Sequence, residues 1–549
     1  MLIADYLAEQ LLAADINDVF AIPGDFILPW LERFEQQPKL KLIQLSHEPA
    51  AVFAADAAAR FTNRPSAVAL TYGAGALNAT NAIAQAFMEF VPMIVFAGFP
   101  SKREIESGYL LHHQIGDVDG QRRILAEITA KQVRFDDAST IELLWQDVLA
   151  TCLQERRPVL IELPRDYAVE NFSPKNLKIQ ESLKARPKQL PHELTESLSV
   201  LLNSARAPCC LVGAKARRFG FDQAISHFSL SSNAPCAATL LGRSVLNPSA
   251  CCYVGVFSGT GQDPLLPFLQ ESDLLLVCGV IKSDSNFAGN PALLRNKRVL
   301  WWDENGIVLP NGKYYRIEPA AVAAWLADFN IRYEPRSAPN SWVQDLDVED
   351  KLAETCWSSG TAMKLLHQEL SAQSELFPFV LDIGDCLFAS LYTEPRWLLA
   401  PAFYASMGYA VPAALGLQQV SKKRPIVIVG DGAFQMTGLE LGHCQRYGWN
   451  PIVIVLNNQS WGMIKAFAPE LSATSLSGWN YAALARAMNG GARQVWNGNQ
   501  FVSAIADAIA DDGRFRLIEV MLPKDSFSDC LAKFSGAMRG ESMVDGSVV

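Results

Sequence analysis

Two polar side chains in the carboxyl-terminal part of the chain have the most informative spacing. Asp431 stands between Gly430 and Gly432, Asn458 is the second of two adjacent asparagines, and 24 residues separate Gly432 from Asn457. A carboxylate and an amide both supply hard oxygen ligands, which suit Mg²⁺ that keeps its other positions for water and phosphate oxygens. Glycines beside the carboxylate let backbone N–H groups approach a diphosphate closely. The spacing therefore indicates a site for magnesium and a diphosphate.

The elements around these residues predict how the two side chains meet. Apolar runs at Ile426 to Val429 and Pro451 to Leu456 are typical of buried parallel strands, and the residues between them predict a helix of about 14 residues that ends at Gly448. In such a β-α-β unit both strands point the same way. Asp431 and Asn458 are therefore expected beyond the carboxyl ends of parallel strands, where α/β sheets bind ligands.

A second group of chemically active side chains lies nearer the amino terminus. His112 and His113 are adjacent, and Asp25 follows the turn residues Pro23 and Gly24. An isolated pair of histidines usually has one buried and one exposed ring, and an aspartate in a turn is often a helix cap. If the three groups lie together, they could exchange protons with a substrate, and their pKa values would then be properties of the group.

Strand and helix patterns alternate along most of the chain and predict three α/β domains. The predicted limits are residues 1–170, 190–332 and 355–540. Polar stretches that contain proline, Tyr167 to about Pro191 and Ile331 to about Lys351, are predicted to link these domains. The polar tail after about Ala537 is predicted to be disordered.

Composition narrows the classes of function. The 549 residues are 50% apolar and 19% charged, as in a globular protein, and the net charge of −10 argues against nucleic acid or an anionic membrane surface as partner. The 11 cysteines are scattered without a CxxC pair, so we expect neither a disulfide framework nor a zinc site. The amino terminus lacks a basic export signal and no long uninterrupted apolar run is present, so we expect a cytoplasmic protein.

Taken together, these motifs resemble those of the thiamine diphosphate (ThDP) enzymes, in particular the 2-oxo-acid decarboxylases. The passages that carry the resemblance are PGDF at 23–26, LSHEPAAVFAADAAAR at 45–60, the histidine pair, DIGDCLF at 382–388, GDGAFQMT at 430–437 and NNQSWGMIKAF at 457–467. The resemblance extends from Ile22 to Leu531 and is strongest to bacterial phenylpyruvate and indolepyruvate decarboxylases. It implies an α/β fold of three doubly wound parallel-sheet domains, named pyrimidine-binding, middle and diphosphate-binding.

The resemblance also implies ThDP and Mg²⁺ as cofactors and suggests which residues hold them. Glu48, which precedes Pro49 at the start of a predicted helix, would face N1′ of the aminopyrimidine and activate the cofactor. The carbonyl of Ala405 would hold the amino group N4′, Met407 would keep the two rings in a V shape, and Thr71 would adjoin the site. The magnesium ligands would be Asp431, Asn458 and the carbonyl of Ser460, with Gly432 and Ala433 beside the diphosphate. Without a cofactor, Glu48 would be a helix cap and Met407 a core residue.

On the substrate side, the resemblance matches Asp25, His112 and His113 to carboxylate binding and proton transfer. Asp284, in the middle domain, is a further candidate. Asp385 is unexplained, because an acid near a diphosphate would be repelled, and it is expected to cap a helix instead.

The sequence departs from pyruvate decarboxylases at one position. Those enzymes generally have a glutamate six residues after the second asparagine, whereas this chain has Ile464 followed by Lys465. The change makes the pocket more apolar, which suits a large hydrophobic substrate side chain. The predicted pocket residues are Phe388, Met463, Ile464 and Phe467, each of which could instead be an ordinary core residue.

Three other functions are suggested by parts of the sequence. A nicotinamide enzyme is suggested by the glycines in Tyr72 to Gly75, but Asn78 occupies the position of the third glycine that such enzymes require. Other ThDP chemistry is a second possibility: decarboxylation of pyruvate, a branched 2-oxo acid, benzoylformate or oxalyl-CoA, or acyloin carboligation. A ThDP-binding protein without turnover is the third and is suggested only by Ile464.

The sequence thus predicts non-oxidative decarboxylation of an aromatic 2-oxo acid, phenylpyruvate or indole-3-pyruvate, to the aldehyde and CO₂. The family resemblance implies a homodimer or homotetramer with the site between subunits, in which Glu48 and the histidines come from one chain and Asp431 from the other. The sequence leaves open the preferred 2-oxo acid, any allosteric activation and the metabolic pathway.

Overall fold

The computed structural model describes residues 1–175, 189–287, 294, 297–337, 339, 341–343, 357–373 and 375–539. Parts of both predicted linkers, and the tail from residue 540, lie outside these residues. The described residues form three sheets with helices between the strands.

The first sheet has six strands in the order β2-β1-β3-β4-β6-β5, and every neighbouring pair is parallel. Its strands are β1 (Asp18–Ala21), β2 (Lys41–Gln44), β3 (Ser66–Leu70), β4 (Met93–Phe99), β5 (Lys131–Arg134) and β6 (Pro158–Pro164). The helices of this segment are α1 (Ile3–Ala13), α2 (Leu28–Glu35), α3 (Glu48–Thr62), α4 (Ala74–Asn78), α5 (Thr80–Met88), α6 (Lys102–Glu106), α7 (Gly120–Leu125) and α8 (Ile141–Glu155).

The second sheet has seven strands in the order β13-β12-β11-β10-β7-β8-β9 and is parallel except where β12 pairs with β11 and β13. Its strands are β7 (Pro208–Val212), β8 (Cys236–Thr239), β9 (Tyr253–Phe257), β10 (Leu274–Cys278), β11 (Arg298–Asp303), β12 (Gly306–Val308) and β13 (Tyr314–Arg316). Its helices are α9 (His192–Asn203), α10 (Ala214–Arg218), α11 (Asp222–Ser232), α12 (Leu266–Glu271), α13 (Asp284–Phe287) and α14 (Pro319–Asp328).

The third sheet repeats the strand order of the first, as β15-β14-β16-β17-β19-β18, with all pairs parallel. Its strands are β14 (Phe379–Leu381), β15 (Leu398–Leu399), β16 (Ile426–Gly430), β17 (Ile452–Asn457), β18 (Gly491–Val495) and β19 (Arg516–Met521). Its helices are α15 (Ser359–Leu370), α16 (Asp385–Ala389), α17 (Ala410–Ser421), α18 (Asp431–Thr437), α19 (Cys444–Tyr447), α20 (Gly462–Phe467), α21 (Tyr481–Ala487), α22 (Gly498–Ala510) and α23 (Asp529–Met538). The predicted fold of three parallel-dominated, doubly wound α/β units is confirmed.

The strand order identifies two positions where a ligand is expected. In the first sheet the chain passes from β1 to β2 on one side and then to β3 on the other, and in the third sheet it does the same at β14, β15 and β16. Ligands of such sheets bind beyond the carboxyl ends of the strands at this reversal. The reversal in the first sheet lies near Asp25 and Thr71, and that in the third sheet near Asp382 and Asp431.

Helices α3 and α17 join the first and third sheets in one hydrophobic core. The alanines of α3 are buried against α17, and a Cβ on Gly416 would lie 2.0 Å from the carbonyl oxygen of Ala54. The two helices therefore cross so closely that a side chain at this position is excluded. This contact fixes the amino-terminal sheet against the carboxyl-terminal sheet of the same chain.

The helix predicted after Asp431 is interrupted. The chain forms α18, then a 3₁₀ segment (Gly438–His443), then α19, which ends as predicted at Gly448 with φ of +69°. Gly438 begins the 3₁₀ segment, and glycine is a poor helix former. None of the helices in the described part of the chain combines the length and apolar character that a bilayer-spanning helix requires.

Candidate active site

Asp431 and Asn458 lie at neighbouring strand ends. Asp431 directly follows β16, Asn458 directly follows β17, and the two strands pair in parallel with Gly430 opposite Leu456. An oxygen of Asp431 accepts a hydrogen bond of 2.7 Å from the backbone N–H of Gln459. The juxtaposition predicted from the β-α-β pattern is therefore present.

The oxygen atoms at these strand ends fit a divalent cation. Asp431 is only 2% exposed. Among the described residues, backbone N–H groups rather than a cationic side chain stabilise its charge. Burial raises the pKa of Asp431 to about 6, against the lowering effect of those N–H groups. The amide of Asn458 is fixed, because it donates to the carbonyl of Ser526 at 2.7 Å and accepts from the N–H of Ser460 at 3.1 Å. A bound Mg²⁺ would offset the cost of burying the carboxylate.

A cavity of about 380 Å³ opens beside these strand ends. All twelve residues predicted in the middle and carboxyl-terminal segments line it: Asp284, Phe388, Ala405, Met407, Asp431, Gly432, Ala433, Asn458, Ser460, Met463, Ile464 and Phe467. Its wall is mostly apolar, and its volume is in the range usual for small-molecule sites. The structure therefore brings the predicted metal, cofactor and pocket residues of this half of the chain together.

Gly432 also allows close packing within the cavity wall. A Cβ at this position would lie 2.4 Å from the ring of Trp461, so the ring rests directly on the glycine. Trp461 lines the cavity and was not among the predicted residues. Gly432 and Ala433 stand in the first turn of α18, where backbone N–H groups have no partner within the helix. The N–H of Gly432 donates to Asp431 Oδ1 at 2.8 Å, and the start of the helix suits an anion such as a diphosphate.

The second predicted group forms a cluster on the amino-terminal sheet. His112 Nε2 lies 2.8 Å from Asp25 Oδ2, and the ligand atoms of Asp25, His112 and His113 all lie within 4.8 Å of one another. The ring of Phe26 packs against His112 with ring centres 4.7 Å apart. Gly73 admits this loop, because a Cβ there would lie 1.9 Å from the carbonyl oxygen of His113. The three groups are therefore close enough to exchange protons.

Glu48 and Thr71 lie beside the same sheet. Glu48 is the first residue of α3, and its Oε2 accepts a hydrogen bond of 2.6 Å from the side chain of Asn78. The hydroxyl of Thr71 is buried and has no hydrogen-bond partner in the described part of the chain. Asn78 was not predicted, but its contact indicates that it orients the carboxylate of Glu48. An unpaired buried hydroxyl of this kind is typical of a site that receives a ligand.

The residues around Asp431 and the residues around Asp25 and Glu48 do not surround one cavity within a single chain. Among the described residues, those lining the cavity all lie at or after Leu240. Asp25, Glu48, Thr71, His112 and His113 are thus absent from its wall. Each chain presents two separate halves of the predicted site.

The sequence did not predict the role of some residues near the cavity. Phe534 and Met538 of α23 line the cavity and were not predicted to do so. Asp385 does not cap its own helix; its carboxylate accepts a hydrogen bond of 2.5 Å from the hydroxyl of Ser359 and also contacts Ser528, the cap residue of α23. Asp385 therefore anchors α23 against α15.

Lys465, whose role the sequence left open, forms an ion pair of 3.8 Å with Asp525. Both side chains are partly exposed. This pair holds α20, which carries Ile464, near the loop that precedes α23.

Comparison with known proteins identifies the family. Three family models match the chain: the thiamine pyrophosphate enzyme N-terminal TPP binding domain over residues 1–122, the central domain over 196–314 and the C-terminal TPP binding domain over 382–520. The chain is also 34% identical over 537 residues to an indole-3-pyruvate decarboxylase of Azospirillum brasilense, covering 96% of this chain and 97% of that protein. This chain belongs to the ThDP-dependent 2-oxo-acid decarboxylases.

More distant relatives have the same extent. An alpha-keto-acid decarboxylase of Mycobacterium avium is 24% identical over 95% of this chain and 94% of its own length. A pyruvate decarboxylase of Hanseniaspora uvarum is 26% identical over 94% of this chain and 95% of its own. A solved structure, the ThDP-dependent 4-hydroxybenzoylformate decarboxylase of Rhodococcus jostii RHA1, superimposes with a TM-score of 0.78 at 19% identity, over 96% of this chain and all of that one, and supports the fold.

Family membership gives the enzyme its cofactor and its class of substrate. The cofactor is ThDP, for which Mg²⁺ is the usual partner metal in this family, and the substrate is a 2-oxo acid. When bound, ThDP supplies the electron sink that loss of CO₂ from a 2-oxo acid requires. The nicotinamide interpretation of the glycines at 73–75 is therefore wrong.

Proposed function

We propose that this enzyme decarboxylates an aromatic 2-oxo acid, phenylpyruvate or indole-3-pyruvate, to the corresponding aldehyde and CO₂. The observation that carries the proposal is the mostly apolar wall of the cavity, which Ile464, Phe388, Met463 and Phe467 line together with the proposed metal ligands. Aromatic side chains are bound mainly through buried area and shape, which such a wall provides. The 34% identical relative, an indole-3-pyruvate decarboxylase, agrees with this substrate class.

In this proposal the carboxyl-terminal half of the site anchors the cofactor. Asp431, Asn458 and the carbonyl of Ser460 bind Mg²⁺, which is held next to the first turn of α18. Gly432 and Ala433, in that first turn, would lie beside the diphosphate. The carbonyl of Ala405 and the side chain of Met407 hold the remainder of ThDP in the cavity.

The amino-terminal half supplies the ionisable groups. Glu48, oriented by Asn78, would hold the proton that it shares with the aminopyrimidine of bound ThDP, and Thr71 adjoins it. Asp25, His112 and His113 bind the substrate carboxylate region and deliver the proton that replaces CO₂. Asp284 reaches the cavity from the middle segment and is a further proton donor or acceptor for the substrate.

We further infer that the working unit is a homodimer, or a homotetramer built from two such dimers, in which each cavity is closed by the amino-terminal sheet of the partner. Support comes from the separation of the two halves in one chain and from apolar side chains exposed on the carboxyl-terminal unit. Ile464 is 50% exposed, and Met436 and Leu439, which follow the Asp431 turn, are 55% and 63% exposed. Exposed apolar side chains of this kind are expected to be buried by a partner. A cytoplasmic location and the domain limits 1–170, 190–332 and 355–540 remain part of the proposal.

The proposal is tested with a panel of 2-oxo acids. Purified enzyme supplied with ThDP and Mg²⁺ is assayed with phenylpyruvate, indole-3-pyruvate, pyruvate and a branched 2-oxo acid, and both the aldehyde and any acyloin are quantified. We expect phenylacetaldehyde or indole-3-acetaldehyde at the highest kcat/KM. Preference for pyruvate or a branched substrate, acyloin as the main product, or absence of turnover would refute it.

A further inference from the structure

The loop that bears Ala405 and Met407 has an unfavourable backbone conformation. It joins β15 to α17, and Ala405 has φ of +64°, in the left-handed region that disfavours any residue with a Cβ. Gly408 follows with φ of +80°. A conformation of this kind persists only where the surroundings impose it.

Glu89 restrains the loop on the amino-terminal side of Ala405. Its Oε1 accepts hydrogen bonds from the backbone N–H groups of Phe403 at 2.6 Å and Tyr404 at 3.1 Å. Its Oε2 is held by Arg60 at 3.1 Å and Arg218 at 3.4 Å. Burial alone would raise the pKa of Glu89, but the two guanidinium groups and the two N–H groups lower it below its ordinary value. Glu89 is therefore a charged acceptor fixed in place.

Asp382 restrains the loop on the other side of Met407. It follows β14 and is completely buried. Its carboxylate accepts hydrogen bonds from the backbone N–H groups of Ile383 at 3.0 Å, Gly408 at 3.2 Å and Ala410 at 2.9 Å. The hydroxyl of Thr437 donates to the carbonyl of Gly408 at 2.7 Å, so Gly408 is held through both its N–H and its carbonyl.

We propose that Glu89 and Asp382 are positioning residues that together hold the loop from Phe403 to Ala410 in the one conformation that presents Ala405 and Met407 to ThDP. The inference rests on the proposed cofactor roles of Ala405 and Met407. Neither carboxylate is among the described residues that line the cavity, so each acts through the loop rather than by contact with the cofactor. The two carboxylates fix four peptide N–H groups of the loop, two before Ala405 and two after Met407. Three residues between fixed ends have little freedom left, which is how a strained carbonyl is kept oriented.

The test separates the pyrimidine end of the cofactor from its diphosphate end. Full-length cofactor-free enzyme is titrated calorimetrically with ThDP and, separately, with inorganic pyrophosphate, in both cases with Mg²⁺. In Glu89→Gln the new NH₂ group must face either the two loop N–H groups or the two guanidinium groups, and in Asp382→Asn it must face a backbone N–H group that the carboxylate accepts from, so each variant loses part of the restraint. We expect the Kd of ThDP to rise about tenfold in each variant, as for loss of a hydrogen bond to a charged group. The Kd of pyrophosphate should stay within about twofold, because the metal ligands and α18 are untouched.

Asp263→Asn is the matched control. Asp263 is 3% exposed and accepts hydrogen bonds from backbone N–H groups of Ser258 at 2.6 Å and Leu265 at 2.8 Å, but it is not among the described cavity residues. Its replacement should lower the thermal midpoint of unfolding, as the other two replacements should, without changing either Kd. If either loop variant fails to fold, the other provides the same comparison. The proposal is overturned if both variants leave the Kd of ThDP unchanged, or weaken ThDP and pyrophosphate equally.

A further variant separates this inference from the proposed function. Met407→Ala should itself weaken ThDP but not pyrophosphate. An unchanged Kd of ThDP in Met407→Ala would refute the assignment of the loop to the cofactor. If the Kd of ThDP rises in Met407→Ala but stays unchanged in Glu89→Gln and Asp382→Asn, only the positioning role of Glu89 and Asp382 is refuted.

Discussion

Coexpression of two inactive variants tests whether each active site is shared between subunits. We combine Glu48→Gln, which removes the proton-exchanging carboxylate of the amino-terminal half, with Asp431→Asn, which removes the charged metal ligand of the other half. Each variant alone is expected to be inactive. In one chain, Glu48 begins α3 beside the amino-terminal sheet, whereas the described residues lining the cavity around Asp431 all lie at or after Leu240.

The expected activity follows from symmetry. Random pairing makes half of the dimers mixed, and each mixed dimer has one site with both residues intact and one site with neither. Activity should therefore return to roughly a quarter of the wild-type value, and the same fraction holds for a tetramer built from two such dimers. The assay is the rate of aldehyde formation from phenylpyruvate per total subunit, with subunit association confirmed by sedimentation.

The control pairs two variants from the same half of the site. Glu48→Gln coexpressed with Asp25→Asn should recover no activity, because every site in a mixed dimer then carries one of the two changes. A site shared between subunits is refuted if the coexpressed Glu48→Gln and Asp431→Asn variants are no more active than either variant alone, since both residues would then serve a site within one chain.

Two further predictions concern the apolar wall and a buried acid. Ile464→Glu should lower kcat/KM for phenylpyruvate by at least about tenfold and for pyruvate by less, because an aromatic ring packed on the wall would desolvate the new carboxylate, whereas the methyl group of pyruvate would leave it in contact with water. Leu471→Glu, at a similarly exposed leucine that is not among the described cavity residues, is the control, and equal losses for both substrates in Ile464→Glu would contradict the pocket assignment. Burial raises the pKa of Glu440 from 4.5 to about 7, so the folded state holds this proton more tightly than the unfolded state does. The stabilisation from this proton is complete below pH 4.5 and is lost as the pH rises through about 7. The free energy of unfolding of the cofactor-free enzyme should therefore fall over that pH range relative to Glu440→Gln. Parallel pH profiles of the two proteins in urea titrations would contradict this prediction.

Local patterns in the sequence were sufficient for much of the fold. Strands that are buried on both faces have continuous apolar runs, and the two runs predicted as strands, Ile426 to Val429 and Pro451 to Leu456, agree with β16 and β17 to within one residue at each end. The adjacency of Asp431 and Asn458 followed from the rule that a β-α-β unit returns its strands in parallel. Short strands at or near sheet edges, such as β5 (KQVR) and β18 (GARQV), were missed because they are polar and only partly buried.

Contacts between distant parts of the chain could not be predicted in the same way. Glu89 binds Phe403 across 314 residues, and an isolated glutamate at the end of a helix gives no local signal of such a partner. The position of Asp382 gave a partial indication of a role near the site, since it is an acid directly after an apolar strand. Phe534 and Met538 reach the cavity only because α23 packs beside α16 and α20, and that packing depends on the anchoring of α23 through Asp385. The family resemblance supplied the roles of Glu48 and the histidines, which the residues alone did not establish.

The central claim is that Asp431 and Asn458 hold a metal ion that anchors ThDP at the end of β16 and β17. It is tested most directly by titrating metal-free enzyme with ThDP in the presence and in the absence of Mg²⁺, for the wild type and for Asp431→Asn. We predict that Mg²⁺ lowers the Kd of ThDP by at least about tenfold in the wild type and has little effect in Asp431→Asn, because the charged ligand is lost. Binding of ThDP that is equally tight with and without Mg²⁺, or unaffected by Asp431→Asn, would contradict the claim.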